Sequence, residues 1–111
     1  MRTRIGFDGD SMTAYLSGEI DHHCAKNTRE LIDSLIQQKK PKVLRLDFSG
    51  VGFMDSSGIG LIIGRYRMMM LYGGYVRVVN VPEGLEKLML LSGLGALDIL
   101  ERHGEAIETT E

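Results

Sequence analysis

The chain has 111 residues, of which 43% are hydrophobic and 25% charged, a composition typical of one globular domain over residues 1–111. Thirteen Lys and Arg residues against fifteen Asp and Glu residues leave a net charge of −2, which argues against a nucleic-acid partner. The single cysteine, Cys24, excludes an internal disulfide, and no apolar run is long enough to span a membrane. We therefore expect a cytoplasmic protein with no membrane partner, since residues 1–5 also lack the apolar run of a secretory signal.

Two short apolar runs near the N-terminus, over residues 4–7 and 13–17, predict the first two strands. The segment Asp8-Gly9-Asp10-Ser11 between them is rich in turn formers, which predicts a hairpin. Residues 18–21 then predict a loop.

A first helix is predicted from Asp21 to about Gln38, because Asp21 can accept a backbone N–H of the first turn. Apolar residues recur at helical spacing through this stretch until Pro41 stops it. The pattern then predicts a buried strand over 43–48, a helix over 57–72, a strand over 75–81, a helix from Pro82 through Leu91 and a last short strand over 97–100. Ser92-Gly93-Leu94 is typical of a helix C-terminal cap with a left-handed glycine.

This order, β-β-α-β-α-β-α-β, predicts an α/β fold with a mixed, mostly parallel sheet packed against helices. The polar tail from about residue 102 is expected to be a frayed helix or disordered.

The most informative segment is Phe53-Met54-Asp55-Ser56-Ser57-Gly58-Ile59-Gly60, between a buried strand and a glycine-rich helix. Open α/β sheets usually place their sites at this end of a strand. A hydroxyl at a helix start lies among free N–H groups, so the fold would tolerate a phosphate there, and its charge would act mainly on binding. Ordinary helix capping explains the same residues, and the residues alone leave both interpretations open.

Other chemistries fit less well. The glycines Gly58, Gly60 and Gly64 have the wrong spacing for a dinucleotide fingerprint or a P-loop, and indicate close packing of helix on sheet instead. The run His22-His23-Cys24 cannot converge on one metal ion from neighbouring helical positions. A nucleophilic serine would need a base, which only His22 or His23 could supply through the fold.

Exposed methionines offer one more interpretation. The run Met68-Met69-Met70-Leu71 covers a full helical turn, so one or two of these side chains must face outward. Exposed methionine often marks adaptable binding surfaces, although a core with an apolar rim explains the run as well.

Three stretches together resemble a known family. They are Gly18-Glu19-Ile20-Asp21-His22-His23, the 53–60 segment with Gly64-Arg65-Tyr66 after it, and Ser92-Gly93-Leu94. In this order they resemble the bacterial anti-sigma factor antagonists, which are STAS-domain proteins, over about residues 3 to 101. The resemblance is strongest to the sporulation members that antagonise an anti-sigma-F factor.

The resemblance implies a function and a site. The unphosphorylated antagonist binds an anti-sigma factor that is also a serine kinase, and so frees the sigma factor. The kinase uses ATP to phosphorylate the first serine of D-S-S-G, here Ser56, and a PP2C-type phosphatase reverses this. ATP and metal belong to the partners, so this chain is expected to need no cofactor and to be no enzyme.

The family pattern also implies a partner-binding face made of Asp21, Asp55, Ser56, Ser57 and Gly58, with Ser57 supporting the helix start. Family members commonly carry a longer C-terminal helix, whereas only residues 102–111 follow the last predicted strand here. Two alternatives remain: an antagonist in a general stress-response pathway, and a nucleotide-binding or hydrolytic module using Ser56.

Overall fold

The computed structural model describes residues 1–101, so the predicted tail from about residue 102 lies outside the described residues. The elements in chain order are β1 (Arg2–Asp8), β2 (Ser11–Ile20), α1 (His22–Lys39), β3 (Val43–Met54), α2 (Ser56–Leu71), β4 (Tyr75–Val79), α3 (Glu83–Leu91) and a short 3-10 helix (Leu94–Leu97).

The four strands form one mixed sheet in the order β1-β2-β3-β4. β1 and β2 pair antiparallel through the predicted hairpin, whereas β2 pairs parallel to β3 and β3 parallel to β4. Because a parallel pair needs a long crossover, α1 connects β2 to β3 and α2 connects β3 to β4. The predicted mixed, mostly parallel sheet packed against helices is confirmed.

The core lies on one face of this sheet. Alternate residues of neighbouring strands meet there and are fully buried, in rows such as Met12, Leu44 and Val76. α1 and α2 cover these rows with apolar side chains that include Ile32 and Ile62. Each such side chain contributes about 1.5–3 kcal/mol to folding by leaving water.

The predicted first helix is confirmed at both ends. Asp21 is the N-cap of α1, and Lys40 ends the helix in the left-handed conformation with its N–H bonded to the Ile36 carbonyl. Pro41 follows directly and has no N–H with which to continue the helix.

The predictions for residues 18–21 and for the end of β3 were wrong. Residues 18–20 were predicted as loop but belong to β2, and β3 continues past residue 48 to Met54. Glycine occurs in both stretches and is typical of loops, but the two strands pair with each other there, from Gly18 opposite Val51 to Ile20 opposite Met54. Tertiary pairing therefore outweighs local propensity in this part of the sheet.

The predicted last strand over 97–100 was also wrong. Leu94–Leu97 form the 3-10 helix, and only Leu100 bridges to Val78 in parallel. β4 ends at Val79, two residues earlier than predicted. The predicted helix cap before this segment is confirmed, because Gly93 has φ +90° and Leu94 is buried.

Candidate functional site

The candidate site forms where β2 and β3 end side by side. Ile20 and Met54 are paired in the last row of these parallel strands, and Asp55 N–H donates to the Ile20 carbonyl at 3.1 Å. The next residues, Asp21 and Asp55, therefore begin α1 and α2 at the same edge of the sheet. Two helix N-termini, each with free N–H groups and positive dipole ends, meet at this edge.

Asp21 caps α1. One carboxylate oxygen, Oδ1, accepts the backbone N–H groups of His23 and Cys24, each at 3.0 Å. Hydrogen bonds from the Cys24 thiol and the Cys24 backbone lower the pKa of Asp21 below its usual value. The carboxylate therefore stays ionised at neutral pH and adds a negative charge to the edge.

Asp55 caps α2 in the same way. It accepts the Ser57 backbone N–H at 2.8 Å and also the Ser57 hydroxyl. These bonds lower the pKa of Asp55, the hydroxyl more than the backbone N–H, although burial and the nearby charge of Asp21 oppose them. Two ionised aspartates thus lie close enough to interact.

The two serines differ in what their hydroxyls do. Ser57 is half-buried and its hydroxyl is engaged by Asp55, as expected for a residue that supports the helix start. Ser56 is the exposed first residue of α2, one position earlier than the predicted helix start. Within residues 1–101 no side-chain hydrogen bond involves the Ser56 hydroxyl, which leaves it accessible to a modifying enzyme.

Gly58 holds the start of α2 against the sheet. A Cβ added there would lie 2.1 Å from Cγ and 2.3 Å from Sδ of Met54, the last residue of β3. The prediction of close packing is right for Gly58. It was wrong for Gly60 and Gly64, where a Cβ would meet no atom within 4 Å.

A groove of about 380 Å³ runs between α1 and α2 from this edge. Its lining includes the basic side chains of Lys26 and Arg29 on α1 and the small surfaces of Ser57 and Gly60 on α2. Neither Lys26 nor Arg29 was predicted from the sequence as part of the site. The available signal was their helical spacing from His22, since residues three or four apart share one helical face.

The remaining candidates are not assembled into a site. His22 and His23 are both exposed, and no hydrogen bond in the described part of the chain joins either of them to Ser56. Residues 1–101 contain no group of three or more His, Cys, Asp or Glu side chains placed to hold a metal ion. Cys24 is a half-buried free thiol. Among the described helices, none has the length and apolar character to cross a membrane.

The methionine run has the expected geometry. Met69 is fully buried and Met68 lies against the core, whereas Met70 and Leu71 face outward with 56% and 85% of their surface exposed. These exposed side chains lie at the C-terminal end of α2, opposite the edge that carries Ser56.

Comparison with known proteins identifies the family. Residues 5–106 match the STAS domain family. An anti-sigma F factor antagonist of Paenibacillus polymyxa is 39% identical over 79 residues, covering 71% of this chain and 68% of the relative. An anti-sigma-B factor antagonist of Listeria monocytogenes is 30% identical over 94 residues, covering 85% of this chain and 80% of the relative.

Solved structures give the same result. The anti-sigma factor antagonist SpoIIAA in its unphosphorylated form is 29% identical, with a TM-score of 0.80 over 96% of this chain and 93% of the other. The Bacillus cell fate determinant SpoIIAA in its phosphorylated form is 28% identical, with a TM-score of 0.73 over 99% of this chain and 100% of the other. By family, fold and relatives, this chain belongs to the STAS-domain anti-sigma factor antagonists.

Proposed function

We propose that this chain is an anti-anti-sigma factor switched off by phosphorylation of Ser56. Unphosphorylated, it binds an anti-sigma factor that is also a serine kinase, and so frees the sigma factor for transcription. The exposed, unengaged hydroxyl of Ser56 at the start of α2 is the observation that carries the proposal. Relatives named as anti-sigma factor antagonists, and SpoIIAA structures in both forms, support it.

The partner-binding face in this proposal consists of Asp21, Asp55, Ser56, Ser57 and Gly58. The two aspartates already give the edge a negative charge, and a phosphate on Ser56 adds roughly −1.5 to −2 more. The free N–H groups of α2 tolerate that phosphate, so the fold survives while the charge of the binding face changes. Phosphorylation thus separates the partners by electrostatic mismatch with little cost to folding.

The chemistry of the cycle belongs to the partners. The kinase partner supplies ATP, and a PP2C-type phosphatase with its own metal ions removes the phosphate from Ser56. We place the cycle in the cytoplasm, where a sigma factor acts. This chain then contributes the hydroxyl and the binding face, and needs no cofactor of its own.

A general stress-response pathway is the second candidate for the same chemistry. The 30% identical anti-sigma-B factor antagonist favours it, whereas the 39% identical anti-sigma F factor antagonist favours the sporulation pathway. Titrating the chain with purified anti-sigma kinases of both types separates the two, because the cognate kinase binds more tightly. Neighbouring genes for a sigma-F-type factor and its kinase would support sporulation.

The first experiment is phosphate transfer from labelled ATP by the cognate anti-sigma kinase. Wild type and Ser57→Ala are expected to accept label, and Ser56→Ala is expected to accept none. Ser57→Ala is the matched control because it removes the neighbouring hydroxyl of the same helix turn. An active kinase that labels none of the three proteins, or that still labels Ser56→Ala, would contradict the proposed site.

A further inference from the structure

The sheet face opposite α1 and α2 carries a basin of about 320 Å³ near the β1 edge. Its lining consists of Arg2, Arg4, Tyr15, Leu16, Ser17, Ser49 and Gly50. We call the small residues Ser17 and Gly50 its floor. These residues face one side because Arg2 pairs with Ser17 and Arg4 with Tyr15 in the antiparallel ladder. None of them belongs to the candidate site at the helix N-termini.

A bulge in β3 shapes the basin. Tyr15 pairs with Asp47 and Ser17 with Gly50, so β3 uses one more residue than β2 over this interval. Asp47 stabilises the bulge, because its Oδ1 accepts the Ser49 backbone N–H at 2.9 Å and the Ser49 hydroxyl at 2.7 Å. Gly50 keeps the floor open, since a Cβ there would lie 2.8 Å from the Ser17 Cβ.

The basin is basic. Arg2 and Arg4 are exposed, and within residues 1–101 neither forms an ion pair. The Arg4 guanidinium lies over the Tyr15 ring, 4.8 Å from its centroid, which fixes its position beside the floor. Asp47, the strand partner of Tyr15, is 7% exposed, lies outside the lining, and is engaged by Ser49 and by the Asn80 amide at 2.8 Å.

We propose that this basin binds the phosphate group of a small phosphorylated ligand. Two guanidinium groups match the charge of a phosphate dianion and the planar, bidentate geometry with which arginine binds phosphate. The Ser17 hydroxyl, which has no hydrogen-bond partner within the described residues, supplies a further donor at the floor. The site is independent of Ser56 and of the proposed partner switching.

The test is an NMR titration of the isotope-labelled full chain with inorganic phosphate and, separately, with glycerol 3-phosphate, against chloride at equal ionic strength. We expect saturable shifts confined to the arginine side chains and backbone amides of the basin, namely Arg2, Arg4, Ser17, Ser49 and Gly50. Equal affinity for the two probes would show that the basin recognises the phosphate group alone. Tighter binding of glycerol 3-phosphate would show that the basin also contacts the glycerol part. Either result supports the site.

Variants give the decisive comparison. The double variant Arg2→Gln/Arg4→Gln is expected to bind about a hundredfold more weakly, because each arginine that is removed takes away a charge-assisted hydrogen bond that accounts for about tenfold in affinity. Arg45→Gln is the control, because Arg45 pairs with Thr13 on the same face but lies outside the basin lining. If the double variant misfolds, Arg4→Gln alone serves. Shifts that do not saturate, or equal losses in Arg45→Gln, would overturn the proposal.

Discussion

At the scale of single residues, one hydrogen bond distinguishes the two adjacent serines. Asp55 accepts both the backbone N–H and the hydroxyl of Ser57, so phosphorylating Ser57 would break the cap of α2. Ser56 has no such role, and its hydroxyl is exposed. The proposal that Ser56 and not Ser57 is phosphorylated thus has a physical reason in the geometry of the cap.

The pKa of Asp55 tests this account of the cap. The folded state favours the ionised form of the Asp55 carboxyl, which lowers its pKa from the usual value of 3.8. Asp55 therefore stabilises the fold at any pH above that usual value. The stabilisation is lost as the pH falls through the lower pKa of the folded state. Because the Ser57 hydroxyl is the largest cause of the lowering, we expect the pKa of Asp55 to rise in Ser57→Ala. Carboxyl-carbon NMR titration measures this directly.

The control in that titration is Asp21, whose pKa is lowered mainly by Cys24 and should therefore change less than that of Asp55 between wild type and Ser57→Ala. Thermal unfolding of both proteins should then show that Ser57→Ala loses less stability on acidification than wild type. An Asp55 pKa that is identical in the two proteins would show that the hydroxyl does not stabilise the carboxylate.

At the scale of elements, α2 is fixed to the sheet by the contact between Gly58 and Met54. We expect Gly58→Ala to destabilise the protein by about 1–3 kcal/mol, because the added Cβ overlaps the first atoms of a buried side chain. This outweighs the gain in helix propensity of about 1 kcal/mol that alanine brings over glycine. Urea unfolding of wild type and variant measures the difference.

Gly64→Ala is the matched substitution for this prediction. It lies in the same helix, and its Cβ would meet no atom within 4 Å, so it should stabilise the protein by up to about 1 kcal/mol. If both variants stabilised the protein equally, the contact with Met54 would not restrict residue 58.

An ion pair joins α1 to α2. Arg65 Nε lies 2.7 Å from Asp33 Oδ1, and Arg65 is 5% exposed. Burial raises the pKa of Asp33 and lowers that of Arg65, and in both cases it outweighs the attraction between the two charges. The pair therefore links the two helices while adding little to stability, since loss of hydration offsets much of the Coulomb gain.

The sequence predicted elements well where their signals are local. Asp21 acts through its side chain on the turn that follows it, Pro41 and Gly93 act through their own backbone, and each marks a helix boundary as predicted. The extended ends of β2 and β3 depend on each other across the sheet, so no local pattern in Gly18 or Gly50 could reveal them. Likewise, the sequence predicted the cap at Asp21 and a hydroxyl at the start of α2, but the basic wall formed by Lys26 and Arg29 requires α2 to lie beside α1.

At the scale of the whole molecule, charge is unevenly distributed. The edge where α1 and α2 begin carries the ionised Asp21 and Asp55, and the open sheet face carries Arg2 and Arg4. With a net charge of −2, one phosphate nearly doubles the negative charge of the chain and places the increase at the acidic edge. The proposed switch would then be a change in surface potential on a constant fold, and partner binding should depend on salt.

We expect Ser56→Asp to bind the anti-sigma kinase about tenfold more weakly than Ser56→Asn, a loss of about 1.4 kcal/mol, because only the charge differs at nearly equal size. The difference should narrow between about 0.05 M and about 0.5 M NaCl, since the screening length falls from above 10 Å to a few ångströms. Isothermal titration calorimetry at both salt concentrations measures it, and the two variants should unfold at the same temperature. If salt left the difference in affinity between the two variants unchanged, the phosphate would block docking through steric contact and the cost of its dehydration. Equal affinity of both variants would contradict a charge-based switch.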